Sequence, residues 1–187
     1  ARVQPEAFNL GGRELDDFVG QVLHETSRLD MLEEALSYSA DRIRAIGNAS
    51  PPGSRWRSLV PRADELARRP REFANAVYGG RLGNTEPDDG IRFCGRGIPQ
   101  VTGRDNYKLL ADLTGLPLLQ KPELLAQPDV AMQCGILWWE KRVPDSAIDS
   151  VERVTRAVQG AQLGLDDRAE LTAKAGRALA SIGVTTS

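Results

Sequence analysis

His24 and Glu25 stand side by side, and a second acidic pair, Glu33 and Glu34, follows about two helical turns later. His24 is the only histidine in the chain, so a zinc site or a Ser-His-Asp triad built on any other histidine is excluded. The HExxH zinc pattern also fails, because Arg28 occupies its last position. There is no GxSxG nucleophile elbow, no P-loop, and no GxGxxG after a predicted strand. Cys94 has nothing near it in sequence to support a thiol nucleophile. Carboxylate chemistry remains. Two carboxyl groups flanking a glycosidic bond suffice to hydrolyse it, one giving a proton to the leaving oxygen and the other activating water. Glu25 closes an apolar helix, a position that suits a general acid. Glu33 and Glu34 both qualify by distance along the chain as the second group. Acidic pairs on helices are more often plain solvated surface.

These side chains must be held by a mainly helical chain. Leu15, Phe18, Val19, Val22 and Leu23 recur at helical spacing and predict a helix over 13–27. Met31, Leu32, Leu36, Ile43 and Ile46 predict a second over 31–46. NASPPGS at 48–54 is a break. Pro61 and Pro70 suit the first turns of short helices at about 61–68 and 70–78. The Gly-rich stretch 79–103 reads as a loop, with a short hairpin through IRF and PQVT. Helices return at about 104–113, 121–125, 128–142, 145–158 and 166–182, punctuated by prolines. A long, Gly-rich central loop in such a chain is a candidate for function.

Composition bounds the rest. The 187 residues suit one domain over 1–187, with a smaller Arg-rich lobe at about 31–90 and no separate binding module. Residues 42–81 hold nine arginines against Asp64, Glu65 and Glu72, so this segment is +6 in a chain of net charge −2. Such a field fits either a solvated face or a lobe that meets a polyanion. No nucleic-acid motif accompanies it, so nucleic acid is not the expected partner. No apolar run is long enough to span a membrane, and the first residues lack the apolar core of a secretory signal. Cys94 and Cys134 are expected to be reduced and buried. No metal, no cofactor and a monomeric state are expected.

Several motifs combine into a recognisable pattern: HET at 24–26, EALSYSA at 34–40, NAVYGGRLGN at 75–84, GRGIPQVTGRDNY at 95–107 and VTRAVQG at 154–160. Together they resemble glycoside hydrolase family 19, and most closely its short bacterial and phage endolysin-like members. The resemblance spans roughly 15–180 and implies a lysozyme-like, two-lobed helical fold with a central groove. It implies an inverting mechanism on a β-1,4 glycan of N-acetylated sugars, with Glu25 as general acid and Glu34 as general base. Thr102 takes the position that holds the attacking water. Gln100 and Asn106 match sugar-binding groove residues, Tyr107 would pack beside them, and His24 and Gln159 join the substrate-binding set. Glu33 is then an exposed neighbour, and Arg96 is expected to be a structural residue paired with a buried carboxylate or with loop carbonyls. The pattern departs from the family at Ser27 and Arg28, Ala35, Cys94 and Gln159, which leaves subsite details open. The implied role is a bare peptidoglycan-cleaving endolysin, held in the host bacterial cytoplasm until lysis and then acting on the wall. The competing readings are a small chitinase, a non-catalytic glycan-binding or virion module, and an antibacterial effector with the same chemistry.

Overall fold

Phe18, Val22 and their neighbours share one face of the first helix, α1, which runs Arg13–Glu25 and buries that face. The computed structural model describes residues 12–26, 31–98, 100–148, 150–159 and 164–184. After α1 come α2 (Ala40–Ala49), α3 (Arg55–Ser58), α4 (Ala63–Leu66), α5 (Pro70–Tyr78), α6 (Asp89–Arg92), α7 (Arg104–Thr114), α8 (Pro128–Arg142), α9 (Val151–Gln159) and α10 (Leu165–Ser181). Short 3₁₀ turns at Val60–Arg62, Pro122–Ala126 and Asp145–Ala147 join some of them. Most elements follow the expected bounds. The helix expected over 145–158 divides into a 3₁₀ turn and α9, and α6 arises inside a stretch expected to be loop.

The main correction lies at 31–46, where helix begins only at Ala40. Residues 32–34 are extended because their backbone is engaged elsewhere. Gly97 N–H donates to Leu32 O at 2.8 Å, and Glu34 N–H donates to Gly95 O at 2.9 Å. Leu32 packs in one core cluster and Leu36 in another. Extended chain covers more than twice the length per residue of a helix, so four residues can cross between the clusters. Ser39 then starts α2 by accepting from Arg42 N–H.

The core has three parts. Ile43, Leu66, Phe73 and Val77 gather around α2, α4 and α5, with Tyr38 and Trp56 packed on them. Phe18, Val22, Trp139 and Val154 gather around α1, α8 and α9. Phe93, Tyr107, Leu110 and Leu125 form the third beside α7. Cys94 and Cys134 are both buried and free.

The Gly-rich loop runs among these clusters. Arg96 and Val101 exchange both backbone hydrogen bonds, at 3.1 and 2.8 Å, and Gly103 N–H donates to Phe93 O. The expected hairpin is therefore present but shifted: its first arm is FCGR, because Ile91 and Arg92 belong to α6. Asp89 anchors this loop. Its buried carboxylate takes two hydrogen bonds from Arg104, at 2.8 and 2.5 Å. Burial alone would raise the Asp89 pKa, but the Arg104 bonds and the Glu86 backbone N–H outweigh it and hold the carboxyl below its ordinary range.

Candidate active site

Successive residues of an extended segment point to opposite sides, and this separates the two acids that sequence spacing left equivalent. Glu33 faces Arg96, with Oε2 3.2 Å from Nε. Arg96 also donates to Arg92 O and to the Tyr107 hydroxyl. The structural role is the expected one, but the carboxylate partner, Glu33, is half-exposed and not buried. Burial opposes the charged guanidinium, but the Tyr107 hydroxyl and neighbouring acidic groups more than compensate, and its pKa is raised.

Glu34 turns the other way. Its Oε1 accepts from Gly95 N–H at 2.6 Å and its Oε2 accepts from the Tyr78 hydroxyl at 2.7 Å. Both donors come from the Gly-rich motifs. Tyr78 ends α5, and Gly95 begins the GRG turn. A Cβ at Gly95 would lie only 3.0 Å from Gln100 Oε1 and 3.3 Å from the Glu34 carboxyl carbon. An added Cβ would therefore crowd both side chains, which would have to give by a few tenths of an ångström. Burial, and then the Glu34 charge, push the Tyr78 phenol well above its ordinary pKa, so it remains a donor.

Gln100 closes the turn after Gly97 with φ at +65°, a left-handed conformation uncommon for a residue with a side chain. Backbone strain of this kind costs on the order of 1–3 kcal/mol and clusters at functional sites. Its amide donates to Met31 O at 3.2 Å. Met31 N–H in turn donates to Thr26 O, at the end of α1. One short chain of hydrogen bonds thus links the Glu25 end of α1 to the Glu34 cluster. Thr102 Oγ1 donates to Gln100 O at 3.1 Å, and Asn106 Nδ2 donates to Thr102 O at 2.7 Å.

Glu25 sits at the last position of α1, and Arg168 of α10 holds it, with Nη2 2.5 Å from Oε1. Arg168 is 1% exposed and also donates to Gln21, one turn earlier on α1. Gln21 donates to Thr155 of α9 at 3.1 Å. The carboxyl is thus fixed by a buried polar network drawn from α1, α9 and α10.

Not every expected site residue joins this constellation. Tyr107 is 0% exposed and lies in the third core cluster, where its hydroxyl donates to Cys94 O at 2.7 Å. It braces the loop from behind and offers no surface to a sugar. His24 points to α10, with Nδ1 2.6 Å from Asp167 Oδ2, and its ring lies against Gly164. The side chain of Gln159 lies outside the described residues, as do Ser27 and Arg28. Trp139 is core, set edge-on to Phe18 at 5.4 Å and donating to Glu14. Trp56 packs on Tyr38 and Phe73 at the edge of the cluster around α2, α4 and α5.

Sequence reading missed Tyr78 and Arg168. Tyr78 lies inside the motif NAVYGGRLGN, but no spacing rule ties it to a residue 44 positions earlier. Arg168 carried no signal beyond being an arginine on the same helix face as Leu171 and Ala175.

No family model matches the chain. A protein of Haemophilus influenzae, described as a glycosyl hydrolase family 19 domain-containing protein, is 30% identical over 159 residues, covering 82% of this chain and 74% of its own length. The chain belongs to glycoside hydrolase family 19. An endochitinase of Arabidopsis thaliana is 35% identical over 74 residues, which is 39% of this chain and 26% of that protein. The crystal structure of chitinase C from Streptomyces griseus superposes with a TM-score of 0.58 at 20% identity, covering 97% of this chain and 66% of that one. At that identity the likeness concerns the fold alone, and it agrees with the mainly helical, lysozyme-like architecture of family 19. The family 19 chain described here thus spans most of its Haemophilus relative and about a quarter of the plant endochitinase.

Proposed function

We propose that this family 19 chain hydrolyses β-1,4 bonds between N-acetylated sugars with inversion, using Glu25 as general acid and Glu34 as general base. The observation that carries the reading is the way Glu34 is held. Tyr78 and Gly95 each donate to a different carboxylate oxygen, and a carboxylate has further lone pairs to accept from water. Thr102 donates its own hydrogen to Gln100 O, so its hydroxyl is left as an acceptor. A water that gives one hydrogen to Glu34 and the other to Thr102 presents a lone pair to the anomeric carbon. As that oxygen attacks, Glu34 takes a proton, the glycosidic C–O bond breaks, and Glu25 protonates the leaving oxygen. Arg168 faces the carboxylate that Glu25 becomes. Solvent exchange then restores both groups. Inversion calls for about 6.5–9.5 Å between the two carboxyls, enough to seat the water. Gln100 and Asn106, with amide donors and acceptors, suit acetamido and hydroxyl groups of the sugars.

The substrate we propose is bacterial peptidoglycan, with the protein acting as a monomeric endolysin of phage or prophage type, kept in the bacterial cytoplasm until lysis. The Arg-rich segment supports this reading, because peptidoglycan carries carboxylates and chitin does not. Chitin oligomers are the second reading, favoured by the partial identity to a plant endochitinase. The test is release of reducing ends from purified peptidoglycan beside chitin oligomers, for wild type and for Glu25→Gln and Glu34→Gln. Peptidoglycan cleavage that either change lowers by roughly 10³-fold or more fits the two-carboxylate roles. Cleavage of chitin alone moves the assignment to chitinase. No cleavage of either by folded wild type removes the catalytic reading and leaves a glycan-binding module.

A further inference from the structure

The nine arginines of 42–81 are not equivalent once their surroundings are known. Arg44 pairs with Asp64, Arg62 with Glu65, and Arg71 with Asp88. Arg57 bonds the carbonyls of Asn48 and Ser50. Much of the positive field is therefore neutralised locally or used to fasten turns. One place differs. A concavity of about 620 Å³ is lined by Gly53, Ser54, Arg55, Trp56, Ser58 and Arg81, with no acidic residue in its wall. Its volume is in the range of small-ligand sites, about 300–1,000 Å³.

The lining is suited to a sugar that carries an anionic substituent. Trp56 is half-buried, its ring braced by Tyr38 and Phe73 at 5.5 and 5.3 Å, which gives the concavity a rigid aromatic wall. Arg55 donates through Nε to Ala76 O at 2.7 Å and through Nη2 to Gly79 O at 2.8 Å. These bonds fix the guanidinium at the end of α5 without neutralising its charge. Arg81 is exposed and has no carboxylate partner among the described residues. Two guanidinium groups, one of them held by backbone carbonyls, sharing a concavity with an aromatic ring make a site for an anionic group attached to a ring. The position is equally specific. Arg55 holds the carbonyl of Gly79, the residue directly after Tyr78, and Tyr78 holds Glu34. Two consecutive residues, Tyr78 and Gly79, thus tie the Glu34 cluster to the Arg55 wall of the concavity.

We infer that the concavity walled by Trp56, Arg55 and Arg81 is a subsite for a muramoyl-peptide unit of the glycan, whose free carboxylates lie on the stem peptide, adjoining the Glu34 cluster. This rests on the proposed reading of Glu34 as part of a glycan site. The subsite supplies a selectivity that the catalytic groups themselves lack, because Glu25, Glu34 and Thr102 address the glycosidic bond common to neutral and acidic glycans.

The test is calorimetric binding to the full chain carrying Glu25→Gln, so that nothing is turned over. The probes are a soluble muramoyl disaccharide-dipeptide, neutral chitotetraose and a glycerol-phosphate oligomer. Arg81 is the residue to vary, since Arg55 also fastens α5. With Arg81→Ala, affinity for the muramoyl fragment should fall roughly tenfold relative to chitotetraose. Arg81→Glu should lower it further, Arg81→Lys should keep most of it, and added salt should erode the preference. A ratio that does not change, or both ligands weakening in parallel in a variant that melts like the parent, overturns the subsite. Arg81-dependent binding of the phosphate oligomer, with the muramoyl fragment indifferent to Arg81, overturns the carboxylate assignment. Failure of the catalytic reading shows differently: wild type then cuts no glycan, whatever the binding ratio.

Discussion

Tyr78 joins its hydroxyl to Glu34 while its carbonyl accepts from the buried Asn84 side chain, so the donor is fixed from both ends. Removing only that oxygen tests whether Glu34 depends on it. Tyr78→Phe should lower kcat by roughly tenfold, the value of one lost hydrogen bond of about 1.4 kcal/mol, with KM nearly unchanged. Steady-state kinetics on whichever glycan is cleaved would read this. An equal rise in KM with kcat preserved would mean that Tyr78 shapes binding and does not position the base. Glu33 shows the opposite case. It is adjacent in sequence and just as acidic, but its partner is Arg96 and its role is to fasten the loop. Sequence spacing treated the two as interchangeable. They differ because an extended backbone sends neighbouring side chains to opposite sides.

At the scale of elements, the crossing of α1 and α10 controls Glu25. Gly20 lies where the two helices meet, and a Cβ there would come within 2.7 Å of Thr172 N and 2.8 Å of Thr172 Cα. Backbone atoms cannot yield as a flexible side chain can. Gly20→Ala should therefore force α10 outward and cost about 1–3 kcal/mol, read as a lower melting temperature. It should also draw Arg168 away from Glu25, so turnover should fall by more than the loss of folded protein explains. Turnover that simply follows the folded fraction would show that the Arg168 contact is not needed for catalysis. The helices themselves were legible, since α1, α5, α7, α8 and α10 match their periodicity and proline punctuation within a few residues. The segment at 31–39 was not. Its apolar residues fit a helical stripe, but Leu32 and Leu36 serve different clusters, and long-range backbone pairing outweighed local propensity.

The whole molecule carries a pH signature from its buried neutral groups. Burial pushes the Cys94 thiol up to about 11 and the Cys134 thiol to about 12. Burial, followed by the Glu34 charge, raises Tyr38 and Tyr78, and burial raises Tyr107. Each group binds its proton more tightly folded than unfolded. Their contribution is therefore fully present below the ordinary thiol and phenol ranges and is lost as pH rises through the folded values. The melting temperature should hold to about pH 9 and fall steeply between about 9 and 12. Cys134→Ala should flatten part of that fall, and an unchanged slope would show that the thiol stays ionisable in the fold. Among the described residues no helix is long and apolar enough to cross a membrane.

What the sequence determined by itself was local and compositional. It contained the helical stripes, the Gly-rich loop, the uneven arginines, and motifs whose chemistry pointed to paired carboxylates, because each of these depends on residues close together in the chain. The tertiary structure decided the partners. Arg168 lies 143 residues from Glu25, Gly95 lies 61 from Glu34, and Arg81 lines one concavity with Arg55. It also moved Tyr107 from the expected sugar site into the core. No period or spacing encodes such meetings. They are set by which apolar faces pack, and only packing fixes which buried polar groups must then satisfy one another.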